Sequence, residues 1–473
     1  MTLGFGQRIG DTLRVPGRGL RRAVVVVVVL ALAGATGGAV ALTAPVLLAQ
    51  VRPAAAPALP PVPARMLGPL PATAPAPTAA GLTSTLGPMA DAMAGDFTGT
   101  VLDPDTGKVL WQRDAATALA PGSTAKLITL AAALLTLDPT GTLTTKVVAG
   151  STPGTVVLVG GGDPTLTALP QGKTGVYPDP ARLTTLATRV KAAMPGITKV
   201  EIDTSRYTGP TSASGWDQAD IAAGNFTPIE PLMLDGGRMD PGARDGARVD
   251  NPAEVAGLTF AKLLGLDQKT VEVVKTSPDA TQIASVSSAP ISDLVENTIQ
   301  ISDNVSAEVL ARETAISRGG DPSFTGAVKE TLAALSAAGL DPTGAVMSDG
   351  SGLSTDDRVP ARLLGAILAA AAAPSQGPHD TEFLRPIIAG LPVAGGDGTL
   401  DDRFTPDADS AAGRGVVRAK TGTLTNVSSL AGVVTDADGR LLVFAFMSNG
   451  VLPSKARPRL DDIAAKLSGC GCR

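Results

Sequence analysis

The sequence predicts an α/β (α+β) protein with one mixed sheet drawn from both ends of the chain, flanking helices, and an inserted α/β domain. Three observations carry this. β-like runs stand near residue 100 and again after residue 415, helical patterns fill 291–373, and 145–287 alternates short strand-like runs with helical ones. The 473 residues are 44% hydrophobic and 18% charged with a net charge of −5, which suits a packed soluble protein and excludes a wholly disordered one.

Aromatics make up only 3% of the chain, so the core must be built from Ala, Val and Leu, and stacking platforms for bases are scarce. No nucleic-acid partner is expected. The single histidine, His379, and two cysteines, Cys470 and Cys472, cannot supply a zinc site, and no other metal or cofactor is indicated. A Ser-His-Asp triad would have only His379, in a turn-like Gly-Pro-His-Asp, to draw on.

Residues 1–22 form a basic cytoplasmic segment with Arg8, Arg14, Arg18, Arg21 and Arg22 against Asp11, followed by an uncharged run over 23–51. That run exceeds the roughly 20 residues a membrane span needs and lacks a small residue at −3 of Leu47-Leu48-Ala49-Gln50. It reads as an uncleaved single-pass anchor, with the arginines inside and the catalytic part outside the cytoplasm. A removed signal peptide, giving a secreted protein, is the alternative. Residues 52–92 read as a Pro/Ala-rich linker, with nine prolines between Pro53 and Thr78; that stretch could extend about 80 Å.

The folded part reads as 93–144 and 288–468, interrupted by the insert at 145–287 and ending in a tail, 469–473. Thr98–Asp103 and Lys108–Trp111 suit a hairpin around Pro104-Asp105-Thr106-Gly107. After Pro121-Gly122, the Ala/Leu-rich stretch 123–137 suits a buried helix with Ser123 in its first turn. Within the insert, strands are expected near 156–159, 199–203 and 271–274, and helices over 180–194 and 252–264. Helices follow over 291–301, 306–318, 326–338 and 360–373, then strands over 415–425, 428–435 and 441–448, and a helix over 455–467. A local disulfide, a bond to a partner and a frayed end all remain open for the tail cysteines.

Three short segments carry chemistry. Ser123-Thr124-Ala125-Lys126 is the chain's one Ser-x-x-Lys; its spacing puts both side chains on one helical face, so a neutral Lys126 can take the Ser123 proton. Serine at a helix cap and lysine in a first turn are also common without any catalytic role. Ser302-Asp303-Asn304 lies between two helical patterns, where it could serve only as a cap. A functional reading has Ser302 relay protons and Asn304 hold Lys126 and a substrate amide. Lys420-Thr421-Gly422-Thr423 falls in a strand-like run, where the glycine admits a substrate backbone. A second Lys-Thr-Gly at 173–175 follows a turn composition and reads as a surface loop.

In this order the segments match the motif set of penicillin-binding proteins and serine β-lactamases. With Gly160–Leu166, Asp349–Ser354 and Leu391–Leu400, the sequence resembles the class C low-molecular-mass penicillin-binding proteins, the D-alanyl-D-alanine carboxypeptidase/D-alanyl-D-alanine-endopeptidase family. The resemblance covers roughly 95–449 and implies a penicillin-binding-protein-like transpeptidase fold. The 179 residues between Ser123 and Ser302 exceed what compact class A β-lactamases allow, and there is no Glu-x-x-x-Asn stretch like their deacylation glutamate.

The resemblance implies an exported serine D,D-peptidase that cleaves D-Ala-D-Ala in peptidoglycan stem peptides through an acyl-serine and is acylated by β-lactam antibiotics. It makes Ser123 the nucleophile and Lys126 its base, with an oxyanion hole from the N–H groups of Ser123 and Thr423. Lys420 and Thr421 would bind the terminal carboxylate, Lys420 would help keep Lys126 neutral, and Leu353 would line the pocket. On its residues alone, the Leu353 loop reads equally as a Gly-rich turn. A β-lactamase or esterase on the same fold, or an idle cell-wall scaffold, are the competing readings. The intact Ser123, Lys126 and Lys420 speak against the scaffold.

Overall fold

A computed structural model of the chain describes residues 73–373 and 381–473. The basic segment 1–22, the apolar run 23–51, the first part of the linker and His379 lie outside the described residues. Among the described residues, no helix is long and apolar enough to cross a membrane.

The span 52–92 is not linker throughout: helix α1 occupies Ala79–Asp91. Thr78 caps it, accepting a hydrogen bond from Gly81 N at 3.0 Å. Leu82, Leu86 and Ala90 recur every four residues and are buried, which gives this Ala/Thr/Gly-rich stretch a packing face. Strands β1 (Asp96–Asp103) and β2 (Lys108–Arg113) form the antiparallel hairpin, closed by Gly107 N donating to Asp103 O at 2.8 Å. After the short β3 (Ala118–Leu119), residues Gly122–Ala125 make one 3₁₀ turn, and helix α2 runs over Lys126–Thr136. The helix expected from Ser123 therefore begins with a tighter turn, which the positive φ of Gly122 sets up. Lys126 through Leu134 are buried without a break, hence the Ala/Leu composition.

Residues 142–290 build a second sheet from β4 (Thr142–Ala149), β5 (Thr155–Val159), β6 (Lys199–Asp203), β7 (Glu272–Val273) and β8 (Gln282–Pro290) in the order β7-β6-β5-β4-β8. Helix α3 (Leu183–Ala193) connects β5 to its parallel neighbour β6, and α4 (Pro252–Leu264) connects β6 to its parallel neighbour β7. Parallel pairing requires such crossovers. This sheet has its own core, including Val147, Leu158, Leu186, Val200, Ile202 and Phe260. The segment enters and leaves through β4 and β8, which pair antiparallel.

The chain continues through α5 (Ile291–Ile301), α6 (Asn304–Ser317), α7 (Phe324–Ala337), β9 (Val359–Pro360) and α8 (Ala361–Ala372). It finishes with β10 (Arg418–Leu424), β11 (Val427–Thr435), β12 (Leu441–Asn449) and α9 (Pro453–Ser468). Strands from both ends of the fold join one sheet in the order β10-β11-β12-β1-β2, with every pairing antiparallel because short turns link the neighbours or the chain returns from the far end. Mixed pairing belongs to the second sheet.

Both faces of the main sheet are covered. Val443, Ala445 and Met447 pack with α2, α6 and α8, while Phe444 and Phe446 pack with α1 and α9. That alternation of period two explains why β12 is buried from Leu442 to Ser448. Cys470 and Cys472 are joined in a local disulfide, and Cys472 O accepts from Thr78 N at 2.8 Å, which ties the tail to α1.

Candidate active site

The 3₁₀ turn carrying Ser123 is wedged against strand β10. A Cβ on Gly422 would stand 2.1 Å from Ser429 Oγ and 2.2 Å from Pro121 O, so only glycine lets the strand lie this close to the turn. The turn is pinned there by Thr124 Oγ1 donating to Pro121 O at 2.8 Å and Ser429 Oγ donating to the same carbonyl at 2.5 Å. A Cβ on Gly122 would lie 2.8 Å from Thr423 N, which shows how nearly the two backbones meet beside Ser123.

Lys126, at the start of α2, is fully buried, and its ammonium protons are all spoken for. Nζ donates to Ser123 Oγ at 2.9 Å, to Asn304 Oδ1 at 2.6 Å and to Ser351 O at 2.7 Å. Burial lowers its pKa to about 8, against the opposing fields of Asp349, Glu308, Asp303 and Asp357. Lys420 is equally buried and donates to Ser302 Oγ at 2.8 Å and Thr421 O at 2.7 Å. Burial, and then the charge of Lys126, hold its pKa well below the ordinary lysine value. Burial is the main cause for both amines, and the repulsion between them, which is mutual, further disfavours their being charged together.

Ser302 ends α5 in the left-handed region, φ 60°, and Asp303 caps α6 by accepting from Val305 N at 2.9 Å. The corner thus does cap the following helix, as its composition suggests, while aiming Ser302 at Lys420 and Asn304 at Lys126. Asn304 Nδ2 donates to Asn225 O at 2.8 Å, so part of the amide expected to meet substrate is held by the insert.

A cavity of about 690 Å³ is lined by Ser123, Ser302, Asn304, Leu353, Thr399 and Thr423, among others. Lys126, Lys420 and Gly422 lie behind its wall. Thr421 Oγ1 donates to Thr399 Oγ1 at 2.8 Å, and Thr423 Oγ1 accepts from Arg457 Nη2 at 2.9 Å. The nine residues singled out in the sequence therefore gather around one cavity. The second Lys-Thr-Gly stands in an irregular stretch of the insert just after a turn and does not line this cavity.

The sequence reading missed what supports Lys126 from below. Asp349 accepts from the backbone N–H groups of Ser351 (3.0 Å), Gly352 (2.6 Å) and Ser354 (2.6 Å), and from Trp216 Nε1 at 2.7 Å. This shapes the loop that offers Ser351 O to Lys126. Glu308 accepts from Gly350 N at 2.9 Å, and burial, followed by the nearness of Asp349, raises its pKa to about 8. The Asp349–Ser354 signature held the only hint of this in the sequence.

A family model for the D-Ala-D-Ala carboxypeptidase 3 (S13) family matches residues 88–248 and 242–468. The chain belongs to that family. It is 43% identical over 427 residues to carboxypeptidase Rv3627c of Mycobacterium tuberculosis, covering 90% of this chain and 91% of that protein. Against carboxypeptidase DacB of Mycolicibacterium smegmatis it is 43% identical over 403 residues, or 85% and 86% of the two chains. The fold resembles penicillin binding protein 4 from Haemophilus influenzae, with a TM-score of 0.64, 19% identity, and coverage of 80% of this chain and 97% of that one. This S13-family chain is a D-Ala-D-Ala carboxypeptidase.

Proposed function

We propose that Ser123 carries the reaction as an acyl-forming nucleophile on the D-Ala–D-Ala bond of peptidoglycan stem peptides. The observation that carries this is the contact of a fully buried Lys126, its pKa lowered to about 8, with Ser123 Oγ at 2.9 Å. In its neutral form Lys126 Nζ takes the hydroxyl proton as Ser123 Oγ bonds to the carbonyl carbon. The tetrahedral oxyanion is received by the N–H groups of Ser123 and Thr423. The C–N bond then breaks as the proton accepted by Lys126 passes through Ser302, whose hydroxyl accepts from Lys420, to the leaving amine, which returns Lys126 to its neutral form. Lys420 and Thr421 hold the terminal carboxylate, and Leu353 lines the cavity. Water, activated in turn by Lys126, attacks the acyl carbon and releases Ser123.

A β-lactam presents a carbonyl and a carboxylate with similar spacing, and the family supports its acylating the same serine without prompt release. Cleavage of a cross-link differs only in the leaving amine, so endopeptidase action needs no further machinery. The arginine-flanked run 23–51 supports export with that run kept as a single-pass anchor; a mature protein beginning after Ala49 would instead mark a cleaved signal.

The test is incubation of the purified protein and of Ser123→Ala with a labelled penicillin, followed by peptide mass mapping. A mass increase confined to the Ser123 peptide of the parent is expected. Folded parent protein without that adduct would overturn the proposal. Release of free D-Ala from a pentapeptide, compared with cleavage of a cross-linked dimer, separates the two peptidase activities.

A further inference from the structure

The inserted segment reaches the catalytic corner directly. Asp303 stands between Ser302 and Asn304, and its carboxylate is completely buried. Asp303 Oδ2 accepts from Tyr177 Oη at 2.5 Å and from Arg238 Nη2 at 3.0 Å, while Oδ1 faces Arg248 Nη2 at 3.5 Å. Tyr177, Arg238 and Arg248 all belong to the 142–290 segment, and both arginine side chains are at most 3% exposed. Each is itself anchored: Arg238 Nη1 donates to Tyr177 Oη at 2.7 Å, and Arg248 donates to Gly224 O at 2.9 Å and Gly236 O at 2.5 Å.

We propose that Tyr177, Arg238 and Arg248 are positioning residues for catalysis, clamping Asp303 so that Ser302 stays on Lys420 and Asn304 stays on Lys126. Two features favour this over simple packing between the two sheets. Ser302 is held in a left-handed conformation that a non-glycine residue keeps only when its surroundings over-determine it. Its neighbour provides that determination. Moreover, two buried guanidinium groups converge on one carboxylate, an arrangement whose desolvation cost makes it a poor way merely to add stability. Its geometric yield is the fixed register of the two residues flanking Asp303. Asn225 O, also in the insert, accepts from Asn304 Nδ2 and supports the same corner.

This inference rests on the proposed Ser123 mechanism, and its experiment tells the two apart. The full-length protein in detergent is mixed with a fluorescent penicillin in a stopped-flow instrument, giving the limiting acylation rate and the concentration for half that rate. Tyr177→Phe and Arg238→Gln should lower the limiting rate about tenfold or more, as loss of a hydrogen bond to a charged group in the transition-state geometry would. The half-rate concentration of Tyr177→Phe should stay within about twofold, since Tyr177 does not line the cavity, whereas Arg238 does and its variant is read by the limiting rate alone. Should Arg238→Gln fail to fold, Tyr177→Phe decides alone, because it removes one hydroxyl and leaves both arginines on Asp303. A folded Tyr177→Phe acylated within about twofold of the parent rate overturns the clamp, as does a change confined to the half-rate concentration. A parent that is not acylated at Ser123 overturns the underlying mechanism instead.

Discussion

Acylation of Ser123 should climb with pH and level off near the Lys126 titration. Burial brings this amine from 10.5 to about 8. At pH 7 about one molecule in ten then carries the neutral base, against about three in ten thousand for an ordinary lysine, a gain of roughly 300-fold or about 3.4 kcal/mol. Below the midpoint the second-order rate constant should fall about tenfold per pH unit. It is measured by stopped-flow with a fluorescent penicillin from pH 5.5 to 10. Glu308 is also raised to about 8, so Glu308→Gln is the needed companion. Removing that carboxylate withdraws one field that favours the charged lysine, and the midpoint should move to lower pH. A flat profile, a midpoint near 10.5, or loss of the rising limb in Glu308→Gln would each refute the assignment of the limb to Lys126.

Three further outcomes follow from the packing. Gly422→Ala drives a methyl into Pro121 O and Ser429 Oγ, so β10 must part from the Ser123 turn; penicillin labelling should fall at least about 100-fold, and labelling within threefold of the parent would count against the wedge. Arg312 donates to Thr208 O at 3.1 Å, Pro322 O at 2.6 Å and Pro210 O at 3.1 Å, with its guanidinium over the Phe324 ring at 4.4 Å. Arg312→Ala should cost about 3–5 kcal/mol in denaturant unfolding, with Arg312→Lys intermediate. The arginines facing Asp303 override the opposing effect of burial and hold its pKa below the ordinary carboxylate value, so its contribution is present above the unfolded pKa of about 3.9 and is lost as pH falls through the lower folded value. Asp303→Asn should therefore be less stable than the parent at pH 7, and the gap in urea midpoints should narrow as pH drops below about 4; a constant gap would contradict the ion pairing.

What was legible in the sequence was local. A three-residue spacing places Ser123 and Lys126 together whether the turn is 3₁₀ or α, so the tighter turn left that pairing intact. Ser302 and Asn304 could be read because a helix boundary must project its cap residues, and Lys420 because strand residues alternate. Beyond Asn304, what holds Lys126 was not readable in the same way. It is the carbonyl of Ser351, and a main-chain acceptor leaves no trace in residue identity. The clamp on Asp303 was hidden for a second reason: Tyr177 and Arg238 sit far from it along the chain, in loop-rich stretches whose composition suggests only turns, yet they close on it from the insert. Helix α1 was hidden for a different reason. Its alanines, threonines and glycines and the internal Pro88 resemble the preceding proline-rich stretch, and only the spacing of Leu82, Leu86 and Ala90 marks a face.

The antiparallel main sheet has a consequence for biosynthesis. The hairpin β1–β2 finds its neighbour only when β12 has been made, and the turn bearing Ser123 rests on β10, some 300 residues downstream. A nascent chain emerging in order therefore holds its nucleophile without its strand until nearly the last residues appear. Prematurely terminated products, however well their second sheet folds, should carry no reactive serine, so covalent capture by a penicillin reports completed synthesis as well as chemistry.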